Sequence, residues 1–246
     1  MGLHGLRWKT PRWVFVNSMS DVAHPDVQAN WLDAMLAVIK ATPQHVYVGL
    51  TKRPERLWRL LYAEAPDAAV RFLTPDQALP NLILGTSIES MAYVRRADEL
   101  MGAWRGPTVV SAEPLLGPLD LTEVLGNGLS WVIAGGESGA QARPCAVAWL
   151  RDLRDQCAAA HTPFFLKQLG RHPVCDAPEG RGPAVIRDQS RLDRQWPRGT
   201  SFGNPTGDSA LNGRVALLRD RKGGEPQAWP EDLRIRQWPV LIDVLP

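Results

Sequence analysis

VYVGLTKRPERLWRLL, residues 46–61, decides how the fold is read. It opens as an apolar run dense in β-branched and aromatic residues, the habit of a strand buried on both faces. It turns polar and basic at residues 51–55, and Pro54 stands where a helix can open. Leu57, Trp58, Leu60 and Leu61 then recur at helical spacing and form an apolar face. Strand, polar turn and amphipathic helix make up half of a βαβ unit.

The same unit recurs along the chain. Apolar runs start at Trp13 (WVFV), Val46 (VYVGL), Leu82 (LILG), Thr108 (TVV), Trp131 (WVI) and Phe164 (FFL). Their spacing fits a βαβ unit of about 30 residues. A helix is expected from Asp26, opened by Pro25, with Val27, Trp31, Met35, Val38 and Ile39 as its apolar face. Met91, Val94, Ala97 and Met101 mark another, LTEVL from Leu121 a short one, and Ala146, Trp149, Leu150, Leu153 and Cys157 a clear one. Alternating strands and helices predict an α/β fold of mostly parallel strands joined by right-handed crossovers. Periodicity leaves open whether the sheet is open and doubly wound or a closed or partly closed barrel.

Residues 1–169 read as this βα-repeat core. From 170 to about 214 the chain is rich in Gly, Pro, Arg and Asp, the texture of an irregular surface segment. The last residues have too little apolar content for a domain of their own. The stretch 170–246 is therefore expected to be an extension and tail packing on the core.

Bulk composition narrows the function classes. Of 246 residues, 44% are hydrophobic and 22% charged, values of a globular chain. A formal charge of +2 gives no strong pull toward nucleic acid. No apolar run approaches the roughly 20 residues of a membrane span, so no membrane role is expected. MGLHGLRWKT lacks the apolar stretch of a signal peptide. The cysteines, Cys145, Cys157 and Cys175, form no CxxC and no metal-ligand spacing, which fits a reducing, cytoplasmic setting.

Parallel α/β sheets present functional residues at the carboxyl ends of their strands. Here the endings are NSMSD, TKRPE, GTSIES, SAEPLLGP, GGESG and KQLG, and each puts polar or ionisable residues directly after apolar ones. Parallel strands bring them to one rim, where ligand sites concentrate. Individually, each can equally be a helix cap or a turn. GGESG is neither a dinucleotide fingerprint nor a Walker loop. Ser138 lacks the glycine of a nucleophile elbow, since Ala140 stands there. The turn reads better as a glycine nest for a carboxylate or phosphate, with Glu137 available to an amine or hydroxyl. Lys52 and Arg53, before a Pro-opened helix, are candidates for anion binding. Glu89 and Glu113 follow neighbouring strands and can serve as an acid–base pair, or can each hold Lys52, Arg53 or Lys167 in an ion pair. His24 and His45 are isolated, and no metal site is expected.

VFVNSMSD…HPDV, LTKRPERL, LPNLILGTSIES, AEPLLGPLDL, WVIAGGESGAQARP, LRDQC…PFFLKQLG and GGEPQAWPEDLRIRQWP, in that order, resemble a phage-derived bacterial family of unknown function. That family looks distantly related to radical S-adenosylmethionine enzymes. The resemblance implies a partial, TIM-like βα barrel. It also implies that GTSIE (Ser87, Glu89) and GGESG (Gly135, Gly136, Glu137) are turns that meet the ribose and amino-acid parts of a nucleoside or S-adenosylmethionine type of ligand; Asn17, Ser18 and Ser138, in the strand endings, are further candidates for holding it. Glu89, Glu113 and Lys167 are then the catalytic candidates. Longer members carry an extra N-terminal strand and a three-cysteine run; this chain resembles them from the second strand onward. An iron–sulfur cluster is therefore not expected from this chain alone, because thiolates hold such clusters. Two rival classes stay open: a cofactor-independent barrel enzyme using Glu89 and Glu113, and a non-enzymatic accessory or nucleic-acid-binding protein acting through the arginine-rich stretch 181–198. A barrel that starts at its second strand exposes WVFV as an apolar sheet edge, so association through that edge is expected.

Overall fold

The computed structural model describes residues 8–17, 20–62, 78–174 and 224–239. Its main sheet has six strands, all parallel: β1 (Trp13–Phe15), β2 (Val46–Thr51), β3 (Leu82–Ser87), β4 (Thr108–Ala112), β5 (Trp131–Gly135) and β7 (Phe164–Gln168). Spatial order follows chain order, so every crossover joins neighbours. All six start at the residue where an apolar run begins. The connecting helices are α1 (Ala29–Lys40), α2 (Pro54–Tyr62), α3 (Arg95–Ala103, preceded by a 3-10 turn at Met91–Tyr93), α4 (Thr122–Gly126) and α5 (Val147–Ala159). A second, two-stranded parallel ladder, β6 (Cys145–Ala146) with β8 (Pro173–Val174), was not legible in the sequence.

The sheet is curled. Trp13 on β1 and Trp131 on β5 are four strand spacings apart, about 19 Å in a flat sheet. Their rings nevertheless meet at 6.1 Å between centroids. This makes the sheet a partial βα barrel and closes the choice that periodicity left open. Alternate residues divide the two faces. Val46, Val48, Ile83, Val109 and Trp131 pack together on the concave side, with Trp13, Leu50, Ile133 and Phe165 against them. Tyr47, Leu82 and Leu84 on the convex side pack with α1, α2 and α3, while Val110, Ala112, Val132, Ala134, Phe164 and Leu166 pack with α4 and α5.

Residues 224–239 fasten onto this core. Trp229 and Leu233 are buried in the layer outside β4, β5 and β7. Asp232 accepts hydrogen bonds from Arg151 Nε (2.8 Å) and Arg154 Nη1 (2.6 Å) of α5. The next residues run antiparallel along β7: Leu166 donates to Ile235 O and Gln237 N–H donates to Phe164 O, each at 2.9 Å. Trp238 then enters the amino end of the concave face. Its ring lies 4.6 Å from Trp13, 5.3 Å from Trp131 and 5.1 Å from Phe165. One segment thus covers the edge of β7 and touches β1. Among the described residues β1 has a single ladder partner, β2.

Three expectations about helices need correction. On α2 the buried face is Leu57, Leu60 and Leu61, and Trp58, expected among them, is 46% exposed. The first helix begins at Ala29, not Asp26, because Asp21 O and His24 O hold residues 24–27 in turns (His24 N–H at 3.0 Å, Val27 N–H at 2.9 Å). Its buried stripe is Leu32, Leu36 and Ile39, and Trp31 is 57% exposed. Both stripes have helical spacing, so only the docking of the helix selects between them. Met91 is likewise exposed, and Ala97, Leu100 and Ala103 form the buried face of α3. No helix among the described residues is long and apolar enough to cross a membrane.

Candidate functional site

Exposure on the concave face rises toward the carboxyl ends of the strands. Val46, Ile83 and Val109 are fully buried, Leu50 and Ile133 are half-buried, and Phe15 is 44% exposed. The groove is filled by aromatic rings at one end and open at the other. The open end is the rim where the sequence places its polar strand endings.

Glu113 stands there, just past β4. Lys167 Nζ, from β7, donates to its Oε2 at 3.3 Å, and Ser111 Oγ donates to the same oxygen at 3.4 Å. β5 runs between these partners, and Gly135 lets them meet over it: a Cβ there would fall 2.6 Å from Glu113 Oε1. The Glu113 side chain is 15% exposed and that of Lys167 59%. Burial pushes the Glu113 carboxyl above its ordinary value, and the charge and hydrogen bond of Lys167 offset only part of that push. The result is a shielded carboxyl paired with an ammonium that reaches solvent.

Glu89, past β3, is buried and ion-paired on both oxygens. Lys52 meets Oε1, and Arg96 Nη1 meets Oε2 at 3.1 Å while also donating to Ser87 O at 2.9 Å. The ion-pair alternative thus describes both carboxylates: Glu89 holds Lys52 and Glu113 holds Lys167. Arg53 reaches Asp21, whose Oδ2 accepts from Arg53 Nη1 (2.6 Å) and from Lys52 N–H (3.0 Å). Burial alone would raise the Asp21 carboxyl, but hydrogen bonds from Thr51, Lys52 and Ala23 and the Arg53 charge outweigh it and hold it below its ordinary value.

The glycine turn is occupied by its own protein. Gly136 donates its N–H to Gln168 O at 3.1 Å, and a Cβ on Gly136 would lie 2.2 Å from Leu169 O. Gly170, at φ +86°, is pressed against the same residue. These glycines permit a close crossing of the loops after β5 and β7. Glu137 is clamped by Arg143 through Nε (2.9 Å), Nη2 (3.0 Å) and the backbone N–H (2.8 Å), which hold its carboxyl below the ordinary range. Arg143 also feels the charge of Glu89. Ser138 is exposed.

Asn17 ties two strands together. Its side chain accepts from Leu50 N–H at 3.1 Å and donates to Leu50 O at 2.7 Å, extending the β1–β2 ladder. Ser18 lies outside the described residues, as do Cys175 and the stretch 181–198. Ser87, next to Ser111 in register, faces the groove. Arg96 and Arg143 went unmarked in the sequence because neither sits at a strand end; Asp21 and Ser111 were inside quoted strand endings and could have been singled out.

The rim thus gathers Ser87, Ser111, Glu113, Gly135 and Lys167 at its centre, of which Lys167 alone is well exposed, with Lys52, Arg53, Glu89 and Glu137 in ion pairs around it. No group of three or more His, Cys, Asp or Glu suited to a metal occurs among the described residues. No curated protein and no solved structure matches the chain. Residues 3–214 match the family described as "Protein of unknown function (DUF5131)", and the chain belongs to that family.

Proposed function

We propose that the open rim of the partial barrel binds a small polar ligand of the nucleoside or S-adenosylmethionine type, with Glu113 and Lys167 as its chemical centre. The observation that carries this reading is a shielded carboxyl, 15% exposed, held 3.3 Å from a solvent-reaching ammonium at the carboxyl ends of the strands. Ligand sites combine an apolar lining with a few convergent polar groups. Phe15, Leu50 and Ile133 offer a surface for a flat ring, Ser87 offers a hydroxyl to a ribose, Ser111 holds Glu113 in place, and Lys167 can meet a carboxylate. Glu113 can donate or accept a proton according to its state.

The resemblance to radical S-adenosylmethionine proteins supports the adenosyl part of the reading. The residues present suit such a ligand at Ser87, Glu113 and Lys167; the hydroxyl of Ser111, the amide of Gly136 and the carboxylate of Glu137 already have partners. They do not suit an iron–sulfur cluster. The cysteines among the described residues, Cys145 and Cys157, are both buried, and burial pushes each thiol to about 12. Cluster ligands are thiolates. No cluster-dependent step is assigned to them.

Titration calorimetry of the whole chain with S-adenosylmethionine, S-adenosylhomocysteine and adenosine tests the proposal. Saturable binding weakened at least tenfold in Glu113→Gln and Lys167→Met supports it. Absence of binding, or binding indifferent to both substitutions, overturns it. A cofactor-independent acid–base enzyme is the second reading, favoured by the raised pKa of Glu113. Since Glu89 is held by Lys52 and Arg96, Glu113 is then the proton carrier and Glu89 a positioning residue.

A further inference from the structure

Beside the rim, sharing Lys52 and Arg53 with it, a cleft of about 490 Å³ lies between α2 and the turn that leads into α3. Lys52, Arg53, Arg56, Arg59, Arg95 and Arg96 line it, against the acids Glu55 and Glu99. Six cations in one cleft stand out on a chain whose net charge is only +2. The amino ends of α2 and α3 add their partial positive charge.

The pairings of these cations divide them into three sets. Arg56 donates to the carbonyls of His24, Pro25 and Val27 and braces the fold. Arg53 is tied to Asp21, and Lys52 and Arg96 to Glu89, at the end next to the barrel mouth. Arg59 pairs with Glu55, and Arg95 lies 3.8 Å from Glu99, on the surface. Arg95 is 86% exposed. Exposed pairs of this kind are weak, because water screens them, so a phosphate can displace them readily. Tyr93 lines the same cleft, partly exposed, with the Arg96 guanidinium 4.1 Å above its ring.

We infer that this cleft is a groove for the phosphodiester backbone of a single-stranded nucleic acid. A compact phosphate needs two or three donors converging in an enclosed site. Here the cations are spread over the turn after β2, α2 and α3 and most reach solvent, which suits a string of phosphates neutralised by counterion release. An aromatic ring beside a basic groove provides a platform on which a base can stack. The inference does not depend on what the barrel mouth binds, and it involves none of Ser111, Glu113 or Lys167.

Fluorescence anisotropy of the full chain with a labelled single strand of about 12 nucleotides tests it, from about 50 to 200 mM salt. With three phosphates neutralised, log K is expected to fall against log salt with a slope of about −2. In the double variant R59E/R95E the affinity is expected to drop at least tenfold at the lower salt and the slope to shrink to about −0.7. Both side chains are exposed, and thermal unfolding checks that the variant is folded; R59Q/R95Q should lie between it and the wild type. K40E, on α1, is expected to change nothing beyond a small uniform loss. No binding, or binding that R59E/R95E leaves intact, overturns the inference. Pyrophosphate binding as tightly as the oligonucleotide also overturns it, in favour of a compact phosphate ligand.

Discussion

Lys167 and Glu113 meet at 3.3 Å although β5 separates the strands that carry them. The residue they pass over is Gly135, and any side chain there would collide with the carboxylate. A glycine in a buried strand costs stability relative to other residues. Its presence at this point links the backbone of one strand to the position of a charge pair supplied by its two neighbours.

The raised pKa of Glu113 gives a pH dependence of definite sign. The folded chain holds this proton more tightly than the unfolded chain, where the group titrates near 4.5. Stability from Glu113 is therefore present at low pH and lost as pH rises through the folded value. Asp21, Glu137 and Asp232, all shifted down, act in the opposite direction. Subtracting the melting profile of Glu113→Gln from that of the wild type between about pH 4 and 8 isolates the group. The wild type is expected to lose stability relative to the variant as pH rises; a flat difference contradicts the assignment.

Two adjacent glycines should respond differently to alanine. At Gly136 the new Cβ meets backbone, Leu169 O at 2.2 Å and Gly170 Cα at 2.9 Å, which cannot move without displacing a loop. At Gly135 its nearest neighbour is the carboxylate end of Glu113, which can rotate. Overpacking costs typically about 1–3 kcal/mol. Gly136→Ala is expected near the top of that range by urea denaturation. Gly135→Ala should sit near the bottom while displacing the pH profile of Glu113.

Trp238 closes the amino end of the groove against Trp13 and Phe165. It is half exposed, so Trp238→Ala should cost about 2 kcal/mol, below the 3–5 of a fully buried tryptophan. The loss also uncovers Trp13 beside a strand with a single ladder partner among the described residues. Sedimentation velocity should therefore show more self-association in the variant than in the wild type. Equal behaviour would mean that the β1 edge is protected by something other than Trp238.

Cys145 and Cys157, with thiols pushed to about 12, should resist a thiol reagent at pH 8 in the native protein. Both are expected to react promptly in denaturant. Mass spectrometry of alkylated peptides reads the two sites separately, and native labelling of either on the same timescale as the denatured chain would contradict its burial.

The amino-acid sequence by itself determined the units of this protein and the rim on which polar residues fall. VYVGL and its five counterparts announce strands because β-branched and aromatic runs buried on both faces leave a local signature, and polar residues just beyond them must lie at the carboxyl ends. Which stripe of α1 is buried was not legible, since Trp31 and Leu32 both belong to helical repeats and the choice is made by what docks. The ion pairs were legible only in part. Lys52 was recognisable as a cation near Glu89, but Arg96 comes from a helix and Arg143 from a loop, with nothing local to assign them. Gly135 and Gly136 looked like a ligand nest, and packing turned them toward Glu113 and the loop at Leu169. The curl of the sheet, the antiparallel run of Ile235 and Gln237 along β7, and the insertion of Trp238 were decided by tertiary structure alone. Each joins residues far apart in the chain, and local propensity carries no information about a distant partner.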